Sequence, residues 1–375
     1  MAELTYFKKF DTKTDYNEYI NGSPVLPNVS IVATEDVYFT DDGPEPPHDY
    51  SKDYLTTIAK ENGTISFNIW KSMGTNLITS ISYSTDGGDT WTTTQNKDDK
   101  EEHLAINVNV NEGDKVLWKG DAQQTGYFDE DDYGDYVGSF FSSTAGFDVE
   151  GNIMSLLFGD DFIGKTELEH IGQFNYLFSD YDEEKECLVV NAENLVLPAT
   201  TLTNWCYSYM FAGCTSLTQA PVLPATTLTD SCYNGMFAGC TSLTTTPELP
   251  ATTLADNCYN SMFSDCSSLT TAPELQATTL ADGCYINMFG GCTSLTTAPE
   301  LPATTLVELC YSSMFQNCSS LNYVKCLATN ISAYNCTVSW VDGVASSGTF
   351  VKNSNMSSWG SGTSGIPTNW TVQDA

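Results

Sequence analysis

The chain has 375 residues, with 48 acids against 14 bases, every base a lysine, for a net charge of −34. Such a charge repels phosphate backbones and anionic bilayers, which argues against nucleic-acid and membrane-surface binding. No stretch approaches the roughly 20 apolar residues of a membrane helix, and the length leaves room for two or three domains with real cores.

Residues 1–47 read as an anchoring segment and linker. Aromatic Tyr6, Phe7 and Phe10 precede one or two short strands over Val29–Val32 and Val37–Phe39, too little apolar material for an independent core. Asp41–Pro47 is a stiff linker by its prolines. This opening lacks the apolar run of a secretory signal, so the chain is expected to be made in a cytoplasm and exported, if at all, by another route.

Residues 48–150 read as an immunoglobulin-like β-sandwich. Thr64–Trp70 and Leu104–Val110 alternate apolar and polar residues, and turn signals fall at Asn62-Gly63, Asp86-Gly87-Gly88 and Asn111–Asp114. Ser84–Trp91 matches the Asp-box hairpin, S-x-D-x-G-x-T-W, found in sialidases. Its local mechanism is an aspartate capping a tight turn. The sialidase reaction needs arginines to hold a carboxylate, and this chain has none. The acidic run containing Asp129, Asp131, Asp132 and Asp135 reads as a solvated loop, with a Ca2+ site as the sharper alternative, because hard cations take several carboxylates together.

From residue 151 to 375 a repeat dominates: degraded over 151–196, regular over 197–321 and degraded again over 322–375. Five copies of L-P-A-T-T-L-x-x-x-C-Y-x-x-M-F-x-G-C-T-S-L-T-x-A-P-E recur with a period of 26. A period of that size predicts an α/β leucine-rich-repeat solenoid, in which each coil buries its apolar side against the next. Thr253 with Asp256 forms a capping-box pattern, as do Thr227/Asp230, Thr279/Asp282 and Thr305/Glu308. Leu254, Cys258 and Met262 or Phe263 then suggest the buried stripe of a helix of about ten residues, stopped at Gly213, Gly239 and Gly291.

The two cysteines of one repeat would lie about 12 Å apart along such a helix. Neighbouring helices would hold equivalents about 8–10 Å apart, beyond the reach of a disulfide. Cys206, Cys232, Cys258, Cys284 and Cys310, with Cys214, Cys240, Cys266, Cys292 and Cys318, therefore read as ladders of buried thiols. The returning segment, alternating about Leu269 and Leu275, places Thr244, Thr270 and Thr296 with Glu248, Glu274 and Glu300 on an open face. That face is the candidate ligand surface, for a cation or a lysine-bearing partner. His48, His103 and His170 are scattered without a motif. No nucleophile elbow, phosphate loop or metal triad occurs, and the chain reads as non-enzymatic.

The repeat consensus, its Met-Phe-x-x-Cys-x-Ser-Leu core, and the closing Gly348–Val351 and Ile366–Trp370 resemble the BspA-like leucine-rich-repeat proteins of Bacteroidales. That resemblance, over roughly Met154–Val372, implies a solenoid and an adhesive role. The opening, Tyr19-Ile20 and Leu26–Ser30, is instead similar to virion proteins of crAss-like phages infecting those bacteria. Together they imply a head or tail fibre or decoration protein at the virion surface. The N-terminal segment would hold other virion proteins, and the solenoid a host surface protein or glycan, with a homo-oligomer compatible. Alternatives are a bacterial cell-surface adhesin and a purely structural capsid decoration.

Overall fold

The structure, a computed structural model, describes residues 48–70, 80–95, 103–120, 126–128, 136–179, 187–356 and 359–375. The anchoring segment and linker expected over 1–47 lie outside these, as do Asp129, Asp131, Asp132 and Asp135. Tyr50–Ala375 forms one compact unit.

Alternating sequence makes the first half. β1 (Leu55–Ala59), β2 (Gly63–Trp70), β3 (Ser80–Ser84), β4 (Thr92–Gln95), β5 (His103–Val110), β6 (Lys115–Gly120), β7 (Gly126–Phe128), β8 (Tyr136–Gly138), β9 (Phe140–Ser143) and β10 (Phe147–Asn152) follow in order. β5-β2-β9 form one antiparallel sheet, and β10-β1-β6-β3-β4 the body of a second. Ile65, Phe67 and Ile69 of β2 are fully buried, as are Val116 and Trp118 of β6. The two sheets meet through Phe67, Trp118 and Phe141, with ring centroids 4.9–6.2 Å apart.

The expected boundary near residue 150 falls inside β10. That strand pairs antiparallel with β1 and parallel with β11 (Val189–Asn191) and β12 (Leu195–Val196). One strand thus belongs to both the sandwich and the first rung of the repeats. Its Gly151 has φ +82°, and a Cβ there would lie 2.1 Å from the Tyr54 carbonyl oxygen.

The repeats do not fold as an α/β leucine-rich-repeat solenoid. Among the described residues the only α-helix is α1 (Ser155–Phe158), a single turn that lies outside the regular copies. Each copy instead runs as a chain of tight turns. In the copy from Leu249 to Glu274, Cys258, Asn260, Met262, Ser264 and Cys266 donate their amides three residues back within the coil. The intervening Asn257, Tyr259, Ser261, Phe263 and Asp265 donate theirs to the next coil, at 2.7–3.1 Å. Alternate amides therefore serve turn and stack, so this stretch satisfies its backbone donors without a helix.

Every fourth residue of this stretch is left-handed. The slots are Trp205, Tyr209 and Gly213; Ser231, Gly235 and Gly239; Asn257, Ser261 and Asp265; Gly283, Asn287 and Gly291; Leu309, Ser313 and Asn317, all with positive φ. Positive φ at the third turn residue is what a type II turn requires. Gly takes such slots because it avoids the cost of a Cβ there, about 1–2 kcal/mol, and Asn and Asp because their short polar side chains hydrogen-bond locally. Gly213, Gly239 and Gly291 do take the left-handed conformation expected of them, but within a turn series rather than at a helix end. Leu309, at φ 56°, fits its slot poorly. Leu309→Asn, the residue at the equivalent Asn257, is expected to raise stability by about 1 kcal/mol in urea unfolding.

The capping pairs have other tasks. Thr253 bridges Thr227 and Thr279 in parallel register. The Asp256 carboxylate accepts from the Asp282 amide at 3.0 Å, and that of Asp282 from Glu308 at 3.1 Å. On the returning side, the regular copies touch only through single bridges such as Thr245 to Thr271, since A-P-E-L-P removes ladder donors. Where Tyr323–Cys326 carries no proline, a true strand appears: β13 (Tyr323–Cys326), β14 (Thr349–Lys352) and β15 (Thr371–Asp374) pair in parallel.

Stacking aligns the interior. Phe211, Phe237, Phe263, Phe289 and Phe315 form one column of stacked rings, 5.6–5.8 Å apart. It continues through Phe178 to Phe141 of the sandwich, so the two halves share one core. Trp340 ends the column at the other side, tilted against Phe315.

Candidate binding face and its supports

The repeat period places like side chains above one another. Thr244, Thr270 and Thr296, with Glu248, Glu274 and Glu300, are all exposed, while Leu249, Leu275 and Leu301, each following a glutamate, are buried. The alternation of an extended segment with one wet side holds from Pro273 to Ala277, whereas Thr270 and Thr271 are both exposed. The threonines are partly engaged: the Thr270 amide and hydroxyl both donate to the Thr244 carbonyl, at 3.2 and 3.3 Å. The Asn322 amide likewise donates to the Thr296 carbonyl at 3.0 Å.

The glutamates project into solvent, the simplest way for stacked like charges to coexist. The column has closed ends. Val222, 73 % exposed, occupies the glutamate slot of the first copy, and at the last Lys325 sits 2.8 Å from Glu300. The chain's own ammonium thus occupies one of the three carboxylates.

Two exposed columns were not singled out in the sequence. Thr226, Thr252, Thr278 and Thr304, with Thr227, Thr253, Thr279 and Thr305 beside them, line the far end of the same segment, all exposed. In the sequence the T-T pair reads as a helix start, which masks this exposure. The period of 26, applied to each position in turn, reveals both columns.

The cysteine ladders lie inside. All ten are buried, free thiols. The helix-to-helix spacing that argued against disulfides does not apply, because neighbouring coils are one hydrogen bond apart: the Tyr259 amide reaches the Cys284 carbonyl at 3.1 Å. In the second ladder the Cys240, Cys266, Cys292 and Cys318 thiols donate to phenylalanine carbonyls of the preceding coil at 2.9–3.1 Å. Burial pushes the Cys232, Cys266 and Cys318 thiols up to about 12, and those of Cys206, Cys240 and Cys284 well above their ordinary value. Thiols held protonated are poor nucleophiles and poor metal ligands.

The Asp-box is a self-contained turn. Asp86 accepts from the Thr90 hydroxyl at 2.6 Å, the Thr90 amide at 2.9 Å and the Ser84 hydroxyl at 2.7 Å. Trp91 packs edge-on against Tyr54 at 5.0 Å, beneath the Lys119 ammonium at 4.0 Å. The Thr90 and Ser84 hydrogen bonds hold the Asp86 carboxyl down at about 2, against an ordinary 3.8. A depressed folded-state value means a contribution present above pH 3.8 that disappears as pH falls through about 2. Carboxyl-detected NMR should find the Asp86 midpoint near about 2 and Thr90→Ala should move it upward. An unchanged midpoint in that variant would remove Thr90 as the cause.

The acidic run containing Asp129 and Asp135 joins β7 to β8, which pair with each other. Among the described residues no three or more His, Cys, Asp or Glu side chains converge as a metal site. No described helix is long and apolar enough to cross a membrane. No family model, curated protein or solved structure matches the chain.

Proposed function

We propose that the chain is a non-enzymatic binding protein displayed at a surface, its repeat stack presenting the threonine and glutamate columns to a host surface protein or glycan. The observation that supports this reading is the exposed set Thr244/Glu248, Thr270/Glu274 and Thr296/Glu300, repeated coil after coil on a fully packed core. Repetition gives a repetitive ligand several equivalent contacts on one scaffold, so weak single contacts add to useful avidity. The similarity of the opening segment to virion proteins favours the surface of a phage particle as the place of display.

The test is binding of the full chain to intact host-type cells and to a glycan array. Glu274→Gln should weaken binding and leave unfolding unchanged, since that side chain is exposed. Equal binding by this variant would overturn the assignment of the face. Absence of the protein from purified particles would overturn the virion placement alone.

A further inference from the structure

A second aromatic column runs beside the phenylalanines, and it is made of oxidisable rings. Tyr207, Tyr233, Tyr259, Tyr285 and Tyr311 stack with centroids 5.7, 6.0, 6.0 and 6.1 Å apart. Trp340 follows at 6.2 Å and Trp359 at 5.6 Å, both stacked. The five tyrosines and Trp340 are buried, whereas Trp359 is half-buried.

The residues around this column are the ones oxidation would damage most. Met210, Met236, Met262, Met288 and Met314 are fully buried in the same coils as the cysteine ladders. A sulfoxide or sulfenic acid there would put a polar group into the core.

The hydroxyl environment decides how an oxidised ring behaves. The Tyr207 and Tyr259 hydroxyls and the Trp359 indole N–H are buried without a hydrogen-bond partner. A phenol that has lost an electron but has no acceptor for its proton cannot settle as a neutral radical. It remains a radical cation, which takes an electron from the ring stacked on it. Indole gives up an electron more readily than a phenol that keeps its proton, so the electron deficiency comes to rest on tryptophan.

We propose that the tyrosine column with Trp340 and Trp359 is a hole-conducting path that carries oxidising equivalents out of the thiol- and thioether-rich core to Trp359. In the first step a strong one-electron oxidant, such as a carbonate radical or a metal-centred oxidant, removes one electron from a column tyrosine and is itself reduced. Electrons then shift ring by ring toward the hole, so that Trp359 carries the single missing electron. A small solution reductant such as ascorbate returns one electron to the exposed part of that indole. No bond is made or broken in the protein, and no protein proton moves.

The test uses the full chain with a ruthenium photo-oxidant tethered at Thr226→Cys, an exposed position in the coil that carries Tyr233. Buried native thiols leave the new cysteine as the labelling site. After flash oxidation without reductant, peptide mapping should find oxidation at Trp359, and added ascorbate should suppress it. Tyr285→Phe with Tyr311→Phe breaks the path in a slot where Phe174 already stacks on Tyr207, so folding should be retained. In that variant oxidation at Trp359 should be lost and appear on methionine and tyrosine near the tether. Unchanged oxidation of Trp359 in the broken path, or oxidation confined to methionine and cysteine in the parent, would overturn the proposal.

Discussion

Phe237→Ala is expected to destabilise the chain by about 3–5 kcal/mol, read as a lowered urea midpoint at unchanged slope. Phe237 is fully buried and stacked between Phe211 and Phe263 at 5.6 and 5.7 Å. Removing the ring leaves a cavity that neighbouring coils cannot close, because their amides are committed to one another above and below: Phe211 to Met236, and Phe237 to Met262, both at 2.9 Å. Relaxation toward the gap would break those bonds. A repeat stack depends on nearest-neighbour interfaces, and this substitution weakens two at once. A loss below about 1 kcal/mol would mean that the column is not close-packed.

Gly151→Ala is expected to cost about 3–4 kcal/mol through backbone strain and a steric conflict. Gly151 combines φ +82° with a Cβ position 2.1 Å from the Tyr54 carbonyl oxygen. That contact is backbone on backbone, where β10 passes from the sandwich into the first rung, so no side chain can swing aside. Gly113→Ala is the control. Its φ is +87° with nothing within 4 Å of the new Cβ, and only the conformational cost of about 1–2 kcal/mol should appear. Equal effects at the two sites would show that strain alone acts and that the close approach at β10 is unimportant.

The stack itself was legible in the sequence, and its local conformation was not. The period of 26 makes Cys206 to Cys310 and Cys214 to Cys318 equivalent, and the structure places each set as an aligned column of buried thiols. The alternation in Thr64–Trp70 and Leu104–Val110 fixes β2 and β5, which pair along their full length from Gly63 with Val110 to Trp70 with His103.

Leu254, Cys258 and Met262 imitate a helical stripe. With Cys266 these recur every four residues over twelve. A helix of 3.6 residues per turn would carry that stripe about 40° further round at each step, so a strict period of four points away from it. The second clue was the Gly, Asn, Asp or Ser at every fourth position, a demand for left-handed backbone that a helix interior does not make. Trp205, Tyr209 and Leu309 break that composition and blurred it. The exposure of Thr270 and Glu274 is independent of any helix, because both lie in the return segment beyond Cys266. The Asp256–Asp282–Glu308 contacts were hidden because a capping box and an inter-coil bond use the same residue types.

Backbone carbon chemical shifts across Leu254–Cys266, in the full chain, test the turn-and-stack coil most directly. Left-handed values are expected at Asn257, Ser261 and Asp265, whose φ angles are 54–59°, interrupting right-handed and extended neighbours. An unbroken run of right-handed helical shifts over those residues would contradict it.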